Sequence, residues 1–365
     1  MKDSIKKRQA QLISRRYGNP GQSVKVVAVV GTNGKTTTAH YLNEMLLNND
    51  QSTALLVPEE GVTLGVRRVQ QFLREAKRNN VKYAIIVIGC DDIRAHSLGS
   101  ASLETVVMTN FSDTRHEMAS EQLDCLKRLL ERTPRYMVLN HDDESCDELS
   151  DVQASSKMSY GVHEDAEAHI EDVTLYKKGS ELKLVIDHQT KLRLATYLVG
   201  TANVLNLTAA VTALYIMGES IADVDEGAAR LESCPTNYEY ITTALPYRVV
   251  LDAAPNDTAL QQVVATTLAL APRRTIVAVQ ADSLSEACIE EVGEKVDRLI
   301  VIDINDFKPN RGTVERVVSP DAAVKLALRA ARQDDVVVFA GPIYTHLQKD
   351  GRSYVHNAID AFLQD

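Results

Sequence analysis

Tryptophan is missing from the 365 residues and phenylalanine occurs only five times. The interior must therefore be filled with aliphatic side chains. The five cysteines, Cys90, Cys125, Cys146, Cys234 and Cys288, include no Cys-x-x-Cys pair. That scattered, odd set excludes a zinc ribbon or a disulfide frame and reads as the reduced thiols of a cytoplasmic chain. No apolar run reaches the roughly 20 residues of a membrane-spanning helix. Positive charge is in deficit: 40 Lys and Arg stand against 50 Asp and Glu, a formal charge of −10. A nucleic-acid partner would need a basic face, so this balance argues against one. A phosphate held by a few local groups is compatible with it. The opening stretch MKDSIKKRQAQLISRRYGNPG is basic but lacks the apolar centre of a signal peptide. It reads as a solvated leading helix ended by Gly18-Asn19-Pro20-Gly21. Contact with an acidic membrane surface or a partner is the alternative.

Most informative is Val24–Thr38, VKVVAVVGTNGKTTT. Five valines lead into Gly31-Thr32-Asn33-Gly34-Lys35-Thr36-Thr37, and a helical pattern begins at once. Strand, glycine turn and helix N-terminus in that order build a phosphate site. The glycines let backbone N–H groups close on phosphate oxygens, Lys35 brings a point charge, and the Thr36 hydroxyl can ligate Mg²⁺. The motif is the short GxxGK[ST] form, since Val29 stands where a full P-loop has glycine. A purely structural glycine turn is the plainer reading, but the Gly-Lys-Thr triplet at the helix start speaks for a bound phosphate.

Beyond it, strands alternate with helical patterns, which predicts an α/β fold with mostly parallel sheets. Helices are expected over Lys35–Asn48, Gln70–Asn79, Glu121–Arg132 and Leu205–Met217. Strands are expected over Lys82–Ile88, Thr105–Thr109 and Tyr136–Leu139, with a small antiparallel patch over Ala166–Leu194. The punctuated stretch Leu231–Pro246 is read as a boundary. After it comes a second α/β unit with strands Arg248–Leu251, Thr275–Val279, Arg298–Ile302 and Asp335–Phe339. Its helices are Thr258–Leu270, Ser285–Val296 and Pro320–Arg332. At 365 residues the chain suits two or three domains.

Several stretches together resemble the Mur ligase family, ATP-dependent enzymes that join a carboxylate to an amine. They are Val29–Thr38, Thr109-Asn110, Val138–Asp143, Gly200–Ala210 (GTANVLNLTAA) and Asp321–Gly341. The resemblance is nearest the tripeptide-synthetase branch. It implies a P-loop NTPase-like central domain over 24–240 and a Rossmann-like C-terminal domain over 241–365, after a basic helix or tail at 1–23. With only some twenty residues ahead of the P-loop strand, the family's first, UDP-sugar-binding domain is expected to be missing. In this the chain is similar to the ligase subunit of lipid II isoglutaminyl synthase, without that subunit's zinc cysteines.

The resemblance implies transfer of the γ-phosphoryl of Mg²⁺-bound ATP to a carboxylate, then attack by an amine on the acyl phosphate. Domain closure would exclude water. The acceptor would be a small molecule or peptide such as a cell-wall precursor, the donor an amino acid or amine, and a partner subunit is possible. Gly31–Thr37 would hold the polyphosphate. Lys127, six residues after Glu121, matches the family's carbamylated lysine, with an ordinary surface lysine as the alternative. The family's metal-binding glutamate falls at Gly89, so Asp91 or Asp92 is the candidate metal ligand beside Thr36, with a helix cap as the alternative. The family histidine falls at Arg115, which makes His116 a catalytic candidate. Asn203 matches an asparagine near the adenine, and Asp252 matches a nucleotide-binding aspartate. Other family groups are replaced: Asn237 stands for an arginine, and Ala340–Thr345 lacks the Lys, His and Glu of its motif. No amino-acid recognition string is visible near Asp303–Asp306. These losses define a second reading, a catalytically weak nucleotide-binding subunit or regulator.

Overall fold

The computed structural model describes residues 2–58, 62–111, 116–149, 152–231, 234, 237–282, 284–302, 314–345 and 353–364. The chain divides into two compact units. The first holds Met1–Thr174, Gly179–Tyr197 and Ala202–Glu232, and the second Leu175–Lys178, Leu198–Thr201 and Ser233–Asp365.

The first unit is organised by β1 (Lys25–Val30), whose residues after Lys25 are all buried. Such a continuous apolar run is what a strand covered on both faces requires. Around it stand β2 (Thr53–Leu56), β3 (Tyr83–Val87), β4 (Leu103–Met108), β5 (Tyr136–Asn140), β6 (Ser156–Gly161), β7 (Ala168–Tyr176), β8 (Gly179–Ile186) and β9 (Thr190–Thr196). Their order in one nine-stranded sheet is β2-β3-β1-β4-β5-β6-β7-β8-β9. β1 runs parallel to β3, with Val29 opposite Val87, and to β4, with Val30 opposite Met108. The predicted antiparallel patch is present where β8 pairs antiparallel with β9, but β7 joins β6 in parallel, so it extends the main sheet.

The helices are α1 (Lys2–Arg16), α2 (Lys35–Asn48), α3 (Gly65–Arg78), α4 (Cys90–Arg94), α5 (His116–Leu130), α6 (Thr201–Ile216) and α7 (Val224–Ala229). Val69 and Leu73 of α3 and Leu126 and Leu129 of α5 pack on Val26, Ala28 and Val30 in one core cluster. α2 begins and ends where the sequence predicts. α3 starts five residues earlier than predicted, because Asp92 Oδ1, distant in sequence, accepts the Leu64 and Gly65 N–H groups at its start (2.8 and 3.4 Å). α1 is not wholly solvated. Ala10 and Ser14 are buried, and Ser14 Oγ accepts the Ser100 N–H.

The second unit is a six-stranded sheet in the order β10-β11-β15-β12-β13-β14. The strands are β10 (Glu239–Ile241), β11 (Arg248–Asp252), β12 (Thr275–Gln280), β13 (Arg298–Ile302), β14 (Val314–Val317) and β15 (Val336–Ala340). Only β10 runs antiparallel to its neighbour. Its helices are α8 (Asp257–Ala269), α9 (Glu286–Lys295), α10 (Pro320–Ala330), α11 (Pro342–Thr345) and α12 (Tyr354–Gln364). α8 and α9 cover one face of the sheet, α10 and α12 the other. Both sheets are mixed but mostly parallel, as the alternation of strand and helix patterns predicts.

Candidate active site

An open α/β sheet binds ligands beyond the carboxyl ends of its strands, where the strand order reverses. In the first unit that point is β1, flanked by β3 and β4. Its C-terminal turn is Gly31–Gly34. Gly31 has φ +139, and a Cβ there would run into Thr109 Oγ1. Gly34 has φ +79 and caps α2 without a side chain. A Cβ there would collide with Asn206 Oδ1. Both glycines are thus required by backbone angle and by space.

The turn is held from β4. Thr32 N donates to the Asn110 carbonyl (2.6 Å) and Asn33 N to Asn110 Oδ1 (2.8 Å). Thr109 Oγ1 donates to the Asn33 carbonyl (2.6 Å). A further layer holds Thr109: Asn140 Nδ2 and the Tyr160 hydroxyl both donate to its carbonyl (2.6 and 3.0 Å). Sequence similarity marks Thr109, Asn110 and Asn140 only as matches. That they clamp the glycine turn becomes visible once β4, β5 and β6 lie side by side.

Lys35 opens α2. Its ammonium donates to the carbonyls of Gly31 (2.8 Å) and Thr32 (2.7 Å). Burial pulls its pKa down to about 8, and the Cys90 thiol acts weakly in the opposite direction. Among the described residues no carboxylate pairs with Lys35. A half-buried cation held by carbonyl dipoles, beside first-turn N–H groups without an intrahelical acceptor, is a site that favours an anion. This local chemistry fits a polyphosphate. Thr36 lies in the same first turn and is the group that would hold a magnesium ion through its hydroxyl. Among the described residues no three His, Cys, Asp or Glu side chains converge as a metal cluster. A hard cation that keeps its waters and phosphate oxygens needs few protein ligands.

The other predicted residues are placed as follows. Asp92 is buried. Its Oδ1 takes the N–H groups at the start of α3 and the Ser97 hydroxyl (2.9 Å), so it serves as a cap from outside its own helix. Asp91 is exposed and pairs with Arg94 at 3.5 Å. Lys127 is exposed and pairs with Glu148 at 2.9 Å. It sits two residues, about 200° of helix, from Cys125. Cys125 of α5 meets Cys90, and Cys90 in turn neighbours Lys35. Lys127 therefore lies on another side of α5 from Cys125, and Glu148 is the partner that the structure gives it. His116 is the first residue of α5, and its side chain lies outside the described residues. So do Arg115, Pro235, Thr236 and Asp303–Asp306.

Asn203 and Asn206 lie on α6, both buried. Asn206 Oδ1 takes the Thr38 hydroxyl at 3.4 Å, and its Nδ2 reaches Asn203 Oδ1 at 3.5 Å. Asn206 thus fits against the P-loop, with Asn203 behind it. In the second unit Asp252 ends β11. One of its oxygens takes the Tyr238 N–H and the other the Ala254 N–H, both at 2.7 Å. It is a turn anchor, and Asn256 then caps α8 through the Ala259 N–H (3.0 Å). Near it, Gly341 N donates to the Asp252 carbonyl and Gln280 Oε1 accepts the Ile343 N–H. Gln280 carries no motif and is invisible to sequence reasoning.

Two family models cover most of the chain: the Mur ligase middle domain matches residues 29–214. The Mur ligase, glutamate ligase domain matches 238–343. The chain belongs to the Mur ligase family and is by class an ATP-dependent ligase. Among curated relatives, the UDP-N-acetylmuramoyl-L-alanyl-D-glutamate–2,6-diaminopimelate ligase of Geobacillus thermodenitrificans is 23% identical over 368 residues, 89% of this chain and 75% of the relative. Among solved structures, MurF from Acinetobacter baumannii superposes with a TM-score of 0.78 at 17% identity, over 98% of this chain and 80% of that one. MurF ligase from Thermotoga maritima in complex with ADP gives 0.73 at 18%, over 97% and 82%. These likenesses bear out the mixed α/β fold.

Proposed function

We propose that this chain uses ATP to form an amide bond between a carboxylate of a peptide-bearing cell-wall precursor and the amine of an amino acid. The reaction type follows from the family. The acceptor class rests on the diaminopimelate ligase relatives, whose names specify a UDP-N-acetylmuramoyl dipeptide. The observation that carries the reading is the half-buried Lys35 ammonium, held by its own loop's carbonyls at the head of α2.

ATP, when bound, supplies the γ-phosphoryl group that activates the acceptor carboxylate for attack by the amine. This chain's residues then have distinct tasks. The first-turn N–H groups of α2 and Lys35 neutralise the polyphosphate, Lys35 giving up its loop carbonyls to do so. Thr36 would hold magnesium through its hydroxyl. Thr109 and Asn110 keep the turn in shape, which is a positioning role. Asn206 holds the turn from the opposite side. Scattered free thiols suit a reducing cytoplasm, where ATP is available.

Release of ADP from ATP and Mg²⁺, dependent on both a UDP-N-acetylmuramoyl dipeptide and an amino acid, tests the reading. Lys35→Ala should lower that turnover roughly 100-fold or more. Acceptor-independent ADP release unaffected by Lys35→Ala would overturn it. A second reading, a nucleotide-binding member with weak turnover, draws on the exposed Lys127 and the committed Asp92. It expects ATP binding with no acceptor-dependent ADP.

A further inference from the structure

Charge on the first unit is not spread evenly. α1 carries six Lys and Arg and α3 five, against one acid each, Asp3 and Glu75. This is a local excess of nine positive charges in a chain of formal charge −10, which leaves the remainder at −19. The two helices pack side by side, with the Arg74 guanidinium 4.8 Å from the Tyr17 ring centre just beyond α1. The acid Asp3 is already occupied, by His96 at 3.0 Å and Arg128 at 3.8 Å.

The outward stripe of α1 has a second property. Its buried side is Ala10 and Ser14. Opposite, at a spacing of seven residues and so nearly in line along the helix, stand Ile5 and Leu12, 50% and 56% exposed. Arg8, Arg15 and Arg16 flank them on the same outward side. Two bare aliphatic side chains framed by guanidinium groups suit an interface that is apolar beneath an anionic layer. The guanidinium groups can meet phosphates while their stems and the aliphatic groups sink below.

We propose that the outward face of α1 docks this protein on an anionic lipid surface, with the cations of α3 adding to the attraction. A negative surface is drawn to this face, whose charge is opposite in sign to that of the rest of the chain. A flexible polyanion would meet both, and would gain nothing from Ile5 and Leu12. An acidic protein is the other occupant that the test must separate. The proposal is independent of the ligase reading, because none of these residues belongs to the P-loop site.

The test is co-sedimentation of the full chain with vesicles of phosphatidylcholine alone or mixed with phosphatidylglycerol. Partition into the mixed vesicles only, weakening as salt rises, is expected. Ile5→Ser/Leu12→Ser should lower that partition roughly tenfold or more. Arg8→Glu/Arg15→Glu should abolish it. Both pairs are exposed, so melting temperature and ATP binding should hold, and these are measured alongside. No partition of the native chain into the mixed vesicles would overturn the proposal. So would partition unchanged by the serine pair, which would mean that charge alone is read and that an acidic macromolecule is the better occupant.

Discussion

At Lys35 the chain keeps a cation where its proton is least secure. The folded value of about 8 lies below the ordinary 10.5, so between these values the unfolded chain holds the proton that the folded chain has lost. Stability from this group therefore rises as pH increases from about 8 towards 10.5. An arriving polyphosphate reverses the preference and draws the proton back. Calorimetry of Mg–ATP binding in buffers of different ionisation heat should show proton uptake on the alkaline side of pH 8 and little below it. Lys35→Met should remove that uptake. A second contrast lies at Asp91 and Asp92. Asp92→Ala orphans buried N–H groups at the head of α3 and should cost about 2–3 kcal/mol in denaturant unfolding. Asp91→Ala breaks only an exposed pair and should change stability by less than about 0.5 kcal/mol. The sequence offered both carboxylates equally as metal ligands or caps. What distinguishes them is a loop 28 residues away in the chain, which no local pattern reports.

Among the elements, the legible ones are those whose pattern is self-sufficient. β1, α2 and β13 were predicted nearly to the residue, because a valine run, a glycine turn and a buried five-residue strand each carry their own signal. β2, β6, β14 and α12 went unread; the apolar run in β2 is only a few residues long and half-buried, and β14 is partly exposed without a clean alternation. Lys127 shows the same limit. Its spacing from Glu121 fits the family helix, yet spacing does not fix which side of α5 faces the P-loop. Since it is paired outward with Glu148, Lys127→Ala should leave the melting temperature within about a degree and acceptor-dependent ADP release within a few-fold. A loss beyond roughly 100-fold would return it to the catalytic set. The clamp from β4 gives the opposite expectation. Asn110→Ala removes the acceptor for Asn33 N and should weaken Mg–ATP binding about tenfold or more by titration, with the fold intact by circular dichroism.

At the scale of the whole molecule, two units each own a sheet and a core, so unfolding need not be a single event. Only the first contains the P-loop. Scanning calorimetry with Mg–ATP at about 100 times its dissociation constant should raise the transition of that unit, by an amount equivalent to about 2.7 kcal/mol. The other transition should move less. The uneven charge of the surface has its own practical outcome. On a column at neutral pH, the average charge says this protein belongs on an anion-exchange resin and should flow past a sulfonated one. A resin bead samples whichever side it touches, however, and the side made by α1 and α3 is cationic. The native chain should therefore linger on both media, and reversing Arg8 and Arg15 should release it from the sulfonated bead while leaving its hold on the other unchanged.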